Sequence, residues 1–237
     1  MSTTTRNTNP ILFDLIALTK PRVNFLIIFT AIVGMLLAQD YNLDYHLMFY
    51  ASIGIYLAAS AAAVINHIVD QKIDAIMDRT KSRPLIKGNV TTNHAIYFSL
   101  FISALSTYIL FEYVNTITTI LTLFSIIVYS IIYSVYLKNL TSQNIVIGGI
   151  AGAMPPLLGW TAVTNGVSEL PLLLFLIIFL WTPPHFWALA VYKQEDYSKA
   201  NVPMLPVTHG ADFTRLHIFL YSISVSYTHL TLPTTVF

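Results

Sequence analysis

The chain of 237 residues contains no cysteine and few charged residues. The absence of cysteine excludes disulfides, thiolate metal sites and attachment of a cofactor through a C-x-x-C-H motif. Only 10% of the residues are charged, whereas a typical soluble domain has about 25%. Because 55% of the residues are hydrophobic, most of the chain is expected to lie in a lipid bilayer.

Seven apolar stretches predict an all-α, polytopic transmembrane bundle. They run over residues 23–39, 47–66, 94–111, 115–137, 144–164, 170–191 and 216–227. The first six are long enough, or nearly so, to cross about 30 Å of hydrocarbon at about 1.5 Å per residue, and the seventh is short. No cleavage signal follows the first stretch, so a signal peptide is not predicted.

The basic residues predict the orientation of the spans. With a cytoplasmic amino terminus, all 12 Lys and Arg residues fall on the inner side, and the charged residues of the outer connections are all acidic. Basic residues are retained in the cytoplasm, so the two long connections, about 67–93 and 192–215, are also predicted to be cytoplasmic. Long connections are usually functional, which makes this face the expected site of chemistry. Without a convincing presequence, a bacterial cytoplasmic membrane is favoured.

The first long connection begins with Asn66, Asp70, Asp74 and Asp78, spaced by four residues. On a helix this spacing places the side chains along one face. Carboxylates so close together repel one another, and Mg2+ is typically held by one or two carboxylates together with substrate phosphates. The basic residues that follow are suited to phosphate oxygens: Arg79, Lys81, Arg83 and Lys87. The alternative is a charged helix end that is solvated at the membrane surface.

Two other segments reach the same face. The second long connection offers Lys193, Glu195 and Asp196, and the fourth span ends with Tyr133 and Lys138. They are interpreted as further parts of a polyanion site. Aromatic and basic residues at the ends of spans are also common interfacial anchors, so that alternative stays open for both segments.

His185 lies inside the sixth span, in the sequence WTPPHFWALA. An ionisable residue at this depth is a functional candidate, although a lone histidine among aromatic residues is more often a hydrogen-bonded core residue. The proline pairs 155–156 and 183–184 are predicted to kink or interrupt their helices, with 152–160 forming a cavity wall.

Together these segments resemble the UbiA-type intramembrane prenyltransferases and, within them, the haem O synthase subgroup. The segment from Asn66 through Asp70 to Asp74 is similar to the first aspartate motif of the family, and YSVYLK, from Tyr133 to Lys138, to its fourth-helix motif. The likeness to the subgroup rests on longer strings between about residues 12 and 217: LTKPRVNFL, DAIMDRTKSRPL, GAMPPLLGWTAV, PHFWALAVYKQEDY and VPMLPVTHG.

The resemblance implies transfer of a farnesyl group from farnesyl diphosphate to a vinyl group of haem B, giving haem O, with Mg2+ as cofactor. The implied metal ligands are Asn66, Asp70, Asp74 and Asp196. The implied diphosphate contacts are Asn66, Arg79, Arg83, Tyr133, Lys138 and Lys193. The implied catalytic residues are Asp70, Asp74, Asp196 and His185, of which His185 would position haem or handle a proton. Implied partners are the two substrates, the bilayer, and haem A synthase or terminal oxidase assembly; no nucleic acid is expected.

Two departures from the family pattern are visible. The usual second D-x-x-x-D is absent, because Ala200 follows Asp196 four residues later; this suits the EDY pattern of the subgroup. The family implies nine helices, whereas about seven are predicted here, and residues 226–237 resemble translated vector sequence. The expectation is therefore one transmembrane domain, 1–237, truncated at its carboxyl terminus and with a non-native tail.

Three rival functions follow from the same residues. A UbiA-type enzyme acting on a quinone precursor is the nearest. A small transporter is disfavoured: transporters often have ionisable groups at the bilayer midplane and internal repeats, whereas the acids here cluster at one face and the sequence shows no clear repeat. A non-catalytic assembly factor is the third.

Overall fold

The computed structural model describes residues 10–38 and 44–235, and all regular elements within these ranges are helices. The fold class is therefore all-α, as the sequence predicts. In chain order the helices are α1 (Pro10–Leu18), α2 (Pro21–Leu37), α3 (Tyr45–Val69), α4 (Gln71–Ile76), α5 (Thr92–Tyr113), α6 (Thr116–Ile127), a π-helical segment (Val128–Leu137), α7 (Lys138–Leu140), α8 (Asn144–Thr164), α9 (Glu169–Tyr192), α10 (Gln194–Lys199), α11 (Leu205–His209) and α12 (Ala211–Thr235).

Within the described residues, five helical stretches are long and apolar enough to cross a membrane, counting Thr116–Leu140 as one. A sixth results if α1 and α2, which are bent by 46° at a short break, form one span. These six coincide with six of the seven predicted stretches. The seventh, 216–227, lies in α12, which is 25 residues long but does not belong to the set of apolar spans.

The predicted non-native tail, 226–237, overlaps the end of α12. Residues 226–235 continue that helix, and residues 236–237 lie outside the described part of the chain. The origin of this segment and the truncation remain predictions.

Side-chain caps set the first residues of three spans. The Asp44 carboxylate accepts hydrogen bonds from the backbone N–H groups of His46 and Leu47, both at 3.0 Å. Thr91 caps α5 and Asn115 caps α6 in the same way, at 3.2 and 2.8 Å. Each cap satisfies backbone donors that a helix leaves unpaired at its start.

Helices α2 and α8 pack with their backbones in contact. A methyl group on Gly34 would lie 2.1 Å from the carbonyl oxygen of Pro156, and one on Gly159 would lie 1.9 Å from that of Ala31. Small residues permit such close approach between membrane helices. Both proline pairs lie within continuous helices, so the predicted interruption does not occur. The pairs are buried, and tertiary packing offsets the hydrogen bonds that proline cannot donate.

Apolar and polar side chains separate along α3. Ala51 and Ile55 join an apolar core with residues of α2, α5 and α8. At the other end of the same helix, Asn66, His67 and Asp70 are buried although they are polar. Because buried polar groups need partners, this end of the bundle is the place to look for a site.

The two long connections meet at this end. We call residues 70–91 the first loop and residues 193–210 the second loop. They share an apolar cluster with α8 and α9, formed by Met77, Ile145, Trp187, Ala190, Ala200, Val202, Met204 and Leu205. The sequence prediction that the two loops lie on one side of the bundle is consistent with this packing.

Candidate active site

Asp70 lies at the junction between α3 and α4 and is 3% exposed. Its Oδ2 accepts a hydrogen bond from Lys138 Nζ at 2.6 Å and another from Asn66 Nδ2 at 2.9 Å. The Lys138 side chain is itself 12% exposed, so the pair is withdrawn from water. Asp70 Oδ1 is buried and has no hydrogen-bond partner. One side of this carboxylate is therefore neutralised, and the other can take a ligand.

Asp74 lies one helical turn further along, because its backbone N–H donates to the Asp70 carbonyl at 2.8 Å. Its carboxylate is also buried and forms an ion pair with the Arg83 guanidinium. Thr80 Oγ1 donates to the Asp74 carbonyl at 3.0 Å, which ties the chain that carries Arg83 back to α4. Arg83, which the sequence assigns to phosphate oxygens, therefore binds the Asp74 carboxylate in this structure.

Asn66 links three segments through its side-chain amide. Its Oδ1 accepts a hydrogen bond from Lys20 Nζ at 3.0 Å, and its Nδ2 donates to Ser134 Oγ at 3.1 Å as well as to Asp70. Lys20 adopts a left-handed conformation at the break between α1 and α2. This conformation, uncommon for a residue with a side chain, is observed where the lysine bonds Asn66.

The helical face that the four-residue spacing predicts ends before Asp78. Helix α4 ends at Ile76 and Met77 is extended, so Asp78 does not stack on Asp74. It is exposed and pairs with Lys81 at 2.6 Å. The hydrogen bond from Lys81 lowers the pKa of Asp78. Asn66, Asp70 and Asp74 therefore come together, and we call these three residues the acidic group. Asp78 does not belong to it.

The second-loop residues lie near the first loop but outside this hydrogen-bonded group. Lys193 is half-buried, with its ammonium 5.0 Å from the centroid of the Tyr192 ring. Asp196 is half-buried in the first turn of α10. Burial raises the pKa of the neighbouring Tyr197, and the charge of exposed Arg79 opposes that rise. Arg79 is not among the ion-pair partners of Asp70 and Asp74, which are Lys138 and Arg83.

Tyr133 is half-buried against α8. Its ring stacks on Tyr129 with centroids 5.8 Å apart, and a methyl group on Gly148 would lie 2.4 Å from Tyr133 Cδ2. Asp70 and Tyr197 both act on it electrostatically. Gly148 therefore makes room for the Tyr133 ring against α8.

His185 lies apart from the acidic group. It stacks on Trp181 with centroids 4.3 Å apart and faces a cavity of about 290 Å³ between α9 and α12. Pro184, Ser222 and Ser226 also line this cavity. His185 is exposed rather than a buried core residue, so its assignment to the haem substrate or to proton transfer stays a prediction.

Sequence reasoning did not assign a role to Lys20, His67 or Ser134. Lys20 precedes a proline, Ser134 lies within the Tyr133–Lys138 motif, and His67 follows Asn66 directly. A polar residue next to a predicted ligand was the available signal for two of them. The partner of Lys20 lies 46 positions away, and no local pattern indicates that contact.

The acidic group fits a hard divalent cation. It offers an unpaired buried carboxylate oxygen on Asp70, a second buried carboxylate on Asp74 and an amide oxygen on Asn66. Among the residues that the structure describes, no three His, Asp, Glu or Cys side chains form a metal-binding group. Asp196 is therefore not grouped with Asp70 and Asp74 in this structure, and its role as a metal ligand stays a prediction. Two carboxylates with the remaining ligands from substrate and water are typical of Mg2+.

The sequence of the chain matches the model of the UbiA prenyltransferase family over residues 27–237. This chain belongs to the UbiA prenyltransferase family. It is consequently a multi-span membrane protein, and its apolar helices form the membrane part of a UbiA-type bundle.

Relatives within the UbiA family carry a more specific name. The chain is 54% identical to the protoheme IX farnesyltransferase of Hahella chejuensis over 210 residues, which cover 89% of this chain and 70% of the relative. It is 50% identical to protoheme IX farnesyltransferase 1 of Pseudomonas fluorescens over 212 residues, covering 90% of this chain and 71% of the relative.

Solved structures show the same fold. A digeranylgeranylglyceryl phosphate synthase superposes with a TM-score of 0.77 at 20% identity, covering 95% of this chain and 79% of that chain. A UbiA homologue from Archaeoglobus fulgidus, bound to GPP and Mg2+, superposes with a TM-score of 0.73 at 18% identity, covering 92% of this chain and 78% of that chain. The UbiA architecture predicted from the sequence is confirmed.

Proposed function

We propose that this chain transfers the farnesyl group of farnesyl diphosphate to a vinyl group of haem B, giving haem O and releasing diphosphate. The observation that carries the proposal is identity of 50–54% to protoheme IX farnesyltransferases across about nine-tenths of the chain. The buried acidic and basic group at one end of the bundle supplies the chemistry that such a transfer needs.

The basic residues of the site are suited to a leaving diphosphate. Cleavage of the allylic C–O bond increases the negative charge on the diphosphate, and fixed cations stabilise that charge best where water is excluded. Arg83 and Lys138 are largely buried, and each already binds a carboxylate. In the proposed reaction they bind phosphate oxygens, together with Lys20 as an additional donor.

Mg2+ is the proposed cofactor, because the UbiA homologue from Archaeoglobus fulgidus was solved with this ion and the acidic group here has suitable oxygen ligands. Asn66 would hold it from α3 and Asp70 and Asp74 from the first loop, with Asp196 completing the site from the second loop. When bound, Mg2+ neutralises charge on the diphosphate. Asn66 also orients Asp70, since its amide donates to the same carboxylate oxygen as Lys138.

The remaining predicted residues have proposed places around this centre. Arg79 and Lys193 contact diphosphate from the two loops, and Tyr133 closes the site above Asp70. The farnesyl chain lies among apolar side chains, where aromatic faces steady an allylic cation. The haem vinyl group attacks that cation, and water supplies the hydroxyl group. His185 is proposed to position haem or to move a proton in that last step.

The proposed location is a bacterial cytoplasmic membrane, with the amino terminus and both loops in the cytoplasm. Placement of all 12 Lys and Arg residues on one side supports this orientation, and the relatives described above are bacterial. Haem A synthase and terminal oxidase assembly are proposed as partners, because they would use the product.

The test is formation of haem O by membranes that contain the chain. Membranes are given isotope-labelled farnesyl diphosphate, Mg2+ and haem B, and the extracted haem is analysed by mass spectrometry. Asp70→Asn is expected to lower the rate by about 100-fold or more, because a buried carboxylate ligand of the proposed Mg2+ site is lost. Asp196→Asn is expected to lower it about tenfold, since this residue completes the site from outside the buried group.

Two controls make the test specific. An aromatic acid replaces haem B in a parallel reaction, and prenylation of that acid alone would identify a quinone-precursor enzyme instead. Immunoblots of the membranes establish that each variant is inserted in equal amount. A near-normal rate for Asp70→Asn would remove the metal role of this residue.

A further inference from the structure

His67 is a buried side chain to which the proposed reaction assigns no role. It lies on α3 directly after Asn66 and is 4% exposed. Both ring nitrogens are buried and have no hydrogen-bond partner. Among the described residues, it is the one side chain with two such atoms.

This arrangement is unfavourable unless something binds there. A buried donor or acceptor without a partner destabilises the folded state, and buried polar side chains in native proteins are nearly always satisfied. Phenylalanine would fill similar space without that cost. The imidazole is therefore better explained by a ligand than by packing.

The surroundings of the ring indicate which ligand. His67 Nδ1 lies 3.9 Å from Asp74 Oδ2, the oxygen that Arg83 binds. That distance is too long for a hydrogen bond. Lys20, Arg83 and Lys138 all act on the ring electrostatically. In either tautomer one ring nitrogen carries a hydrogen, and three ammonium or guanidinium groups offer it no acceptor.

We propose that His67 is a diphosphate-binding residue, whose ring N–H donates a hydrogen bond to an oxygen of the bound diphosphate beside Asp74. A phosphate oxygen held by Arg83 and Lys20 would supply the acceptor that the imidazole lacks. This inference rests on the proposed function, because it assigns one more contact within the same site.

The experiment measures binding and stability separately on the full chain, purified in detergent. Calorimetry gives the affinity for inorganic pyrophosphate in excess Mg2+, and thermal unfolding is followed without either ligand. His67→Phe removes both ring nitrogens, whereas His67→Gln keeps an N–H donor. His94→Phe is the matched control, since His94 is exposed on α5.

His67→Phe is expected to weaken pyrophosphate binding about tenfold, the loss of one hydrogen bond to a charged group. Its unfolding temperature without ligand should equal or exceed that of the unchanged protein, because two unsatisfied polar atoms disappear. His67→Gln should lie within about threefold of the unchanged affinity, since part of the hydrogen bond is retained. His94→Phe should change neither quantity.

Two results would overturn the inference. Unchanged pyrophosphate affinity in His67→Phe excludes a diphosphate contact, and a lower unfolding temperature or failure to fold shows that the imidazole is structural. If the unchanged protein binds no pyrophosphate and forms no haem O, the proposed function itself fails. The two failures are thus distinguishable.

Discussion

The first and second loops meet at one end of the bundle, but different interactions hold them. In the first loop, Asp70 and Asp74 are buried, and a basic side chain binds each carboxylate. In the second loop, Val202, Met204 and Leu205 are buried against apolar neighbours. Charge pairing holds the acidic residues of the first loop, which also buries Met77 and Val90, whereas apolar packing holds the buried residues of the second loop.

The difference gives the two loops different roles: the first loop can bind ligands, and the second loop excludes water from the site. A carboxylate bound to lysine or arginine can exchange that partner for a metal ion and release the basic group to a phosphate. Apolar packing offers no such exchange, but it excludes water and so strengthens the electrostatic interactions next to it. We therefore expect the first loop to respond to ligands and the second loop to respond mainly to loss of packing.

Among the variants that test this difference between the loops, Lys138→Met is expected to lose the most stability. Removing the cation leaves the Asp70 carboxylate buried without its charge partner, which costs about 3–5 kcal/mol. Because Mg2+ can replace the lost charge, addition of the ion should restore much of the stability. Thermal unfolding in EDTA and in Mg2+ measures both quantities without reference to activity.

Lys72→Met is the matched control, since Lys72 is exposed on α4 and the change removes the same charge. It should unfold like the unchanged protein in both buffers. Equal destabilisation of Lys138→Met with and without Mg2+ would show that the first loop does not exchange cations. It would contradict the proposed difference between the two loops.

A smaller effect is expected from Leu205→Ala in the second loop. Leu205 is fully buried, and truncating a core leucine costs about 2–5 kcal/mol. We expect about 2 kcal/mol, the lower end of that range, because α11 is a short helix at the end of the bundle and can shift into the resulting space. Mg2+ should not restore the loss. Leu140→Ala is the control, since Leu140 is 75% exposed. Recovery of Leu205→Ala in Mg2+ would contradict the assignment of the second loop to packing.

The sequence alone predicted the parts of the fold that depend on local patterns. Apolar runs located six spans because a bilayer requires a continuous length of hydrophobic helix. The spacing of Asn66, Asp70 and Asp74 predicted one shared face because α3 passes into α4 without losing its helical turn at Asp70.

Contacts between distant segments were beyond such reasoning. The bond from Lys20 to Asn66 depends on how α2 packs beside α3, and no pattern around Lys20 encodes it. The position of His185 against α12 likewise depends on the packing of two helices. The end of the acidic face was missed for another reason: residue spacing does not reveal that the backbone becomes extended at Met77.

The smallest effect is expected from Asp78→Asn, which tests the comparison within the first loop itself. Asp78 and Lys81 are exposed, and such pairs contribute little to stability. Because Lys81 lowers the pKa of Asp78, any contribution is present at neutral pH and is lost as the pH falls through the pKa of the folded carboxyl group. Because the exposed pair contributes so little, the unfolding temperature at pH 7 should be nearly unchanged. Haem O formation should stay within about twofold of the unchanged rate, because only residues that bind the metal ion or the diphosphate carry large rate effects. If Asp78→Asn lowered the rate of haem O formation as much as Asp70→Asn, burial would not distinguish the functional acids of this loop from the exposed one. All the residues of the four-residue series would then contribute to the site.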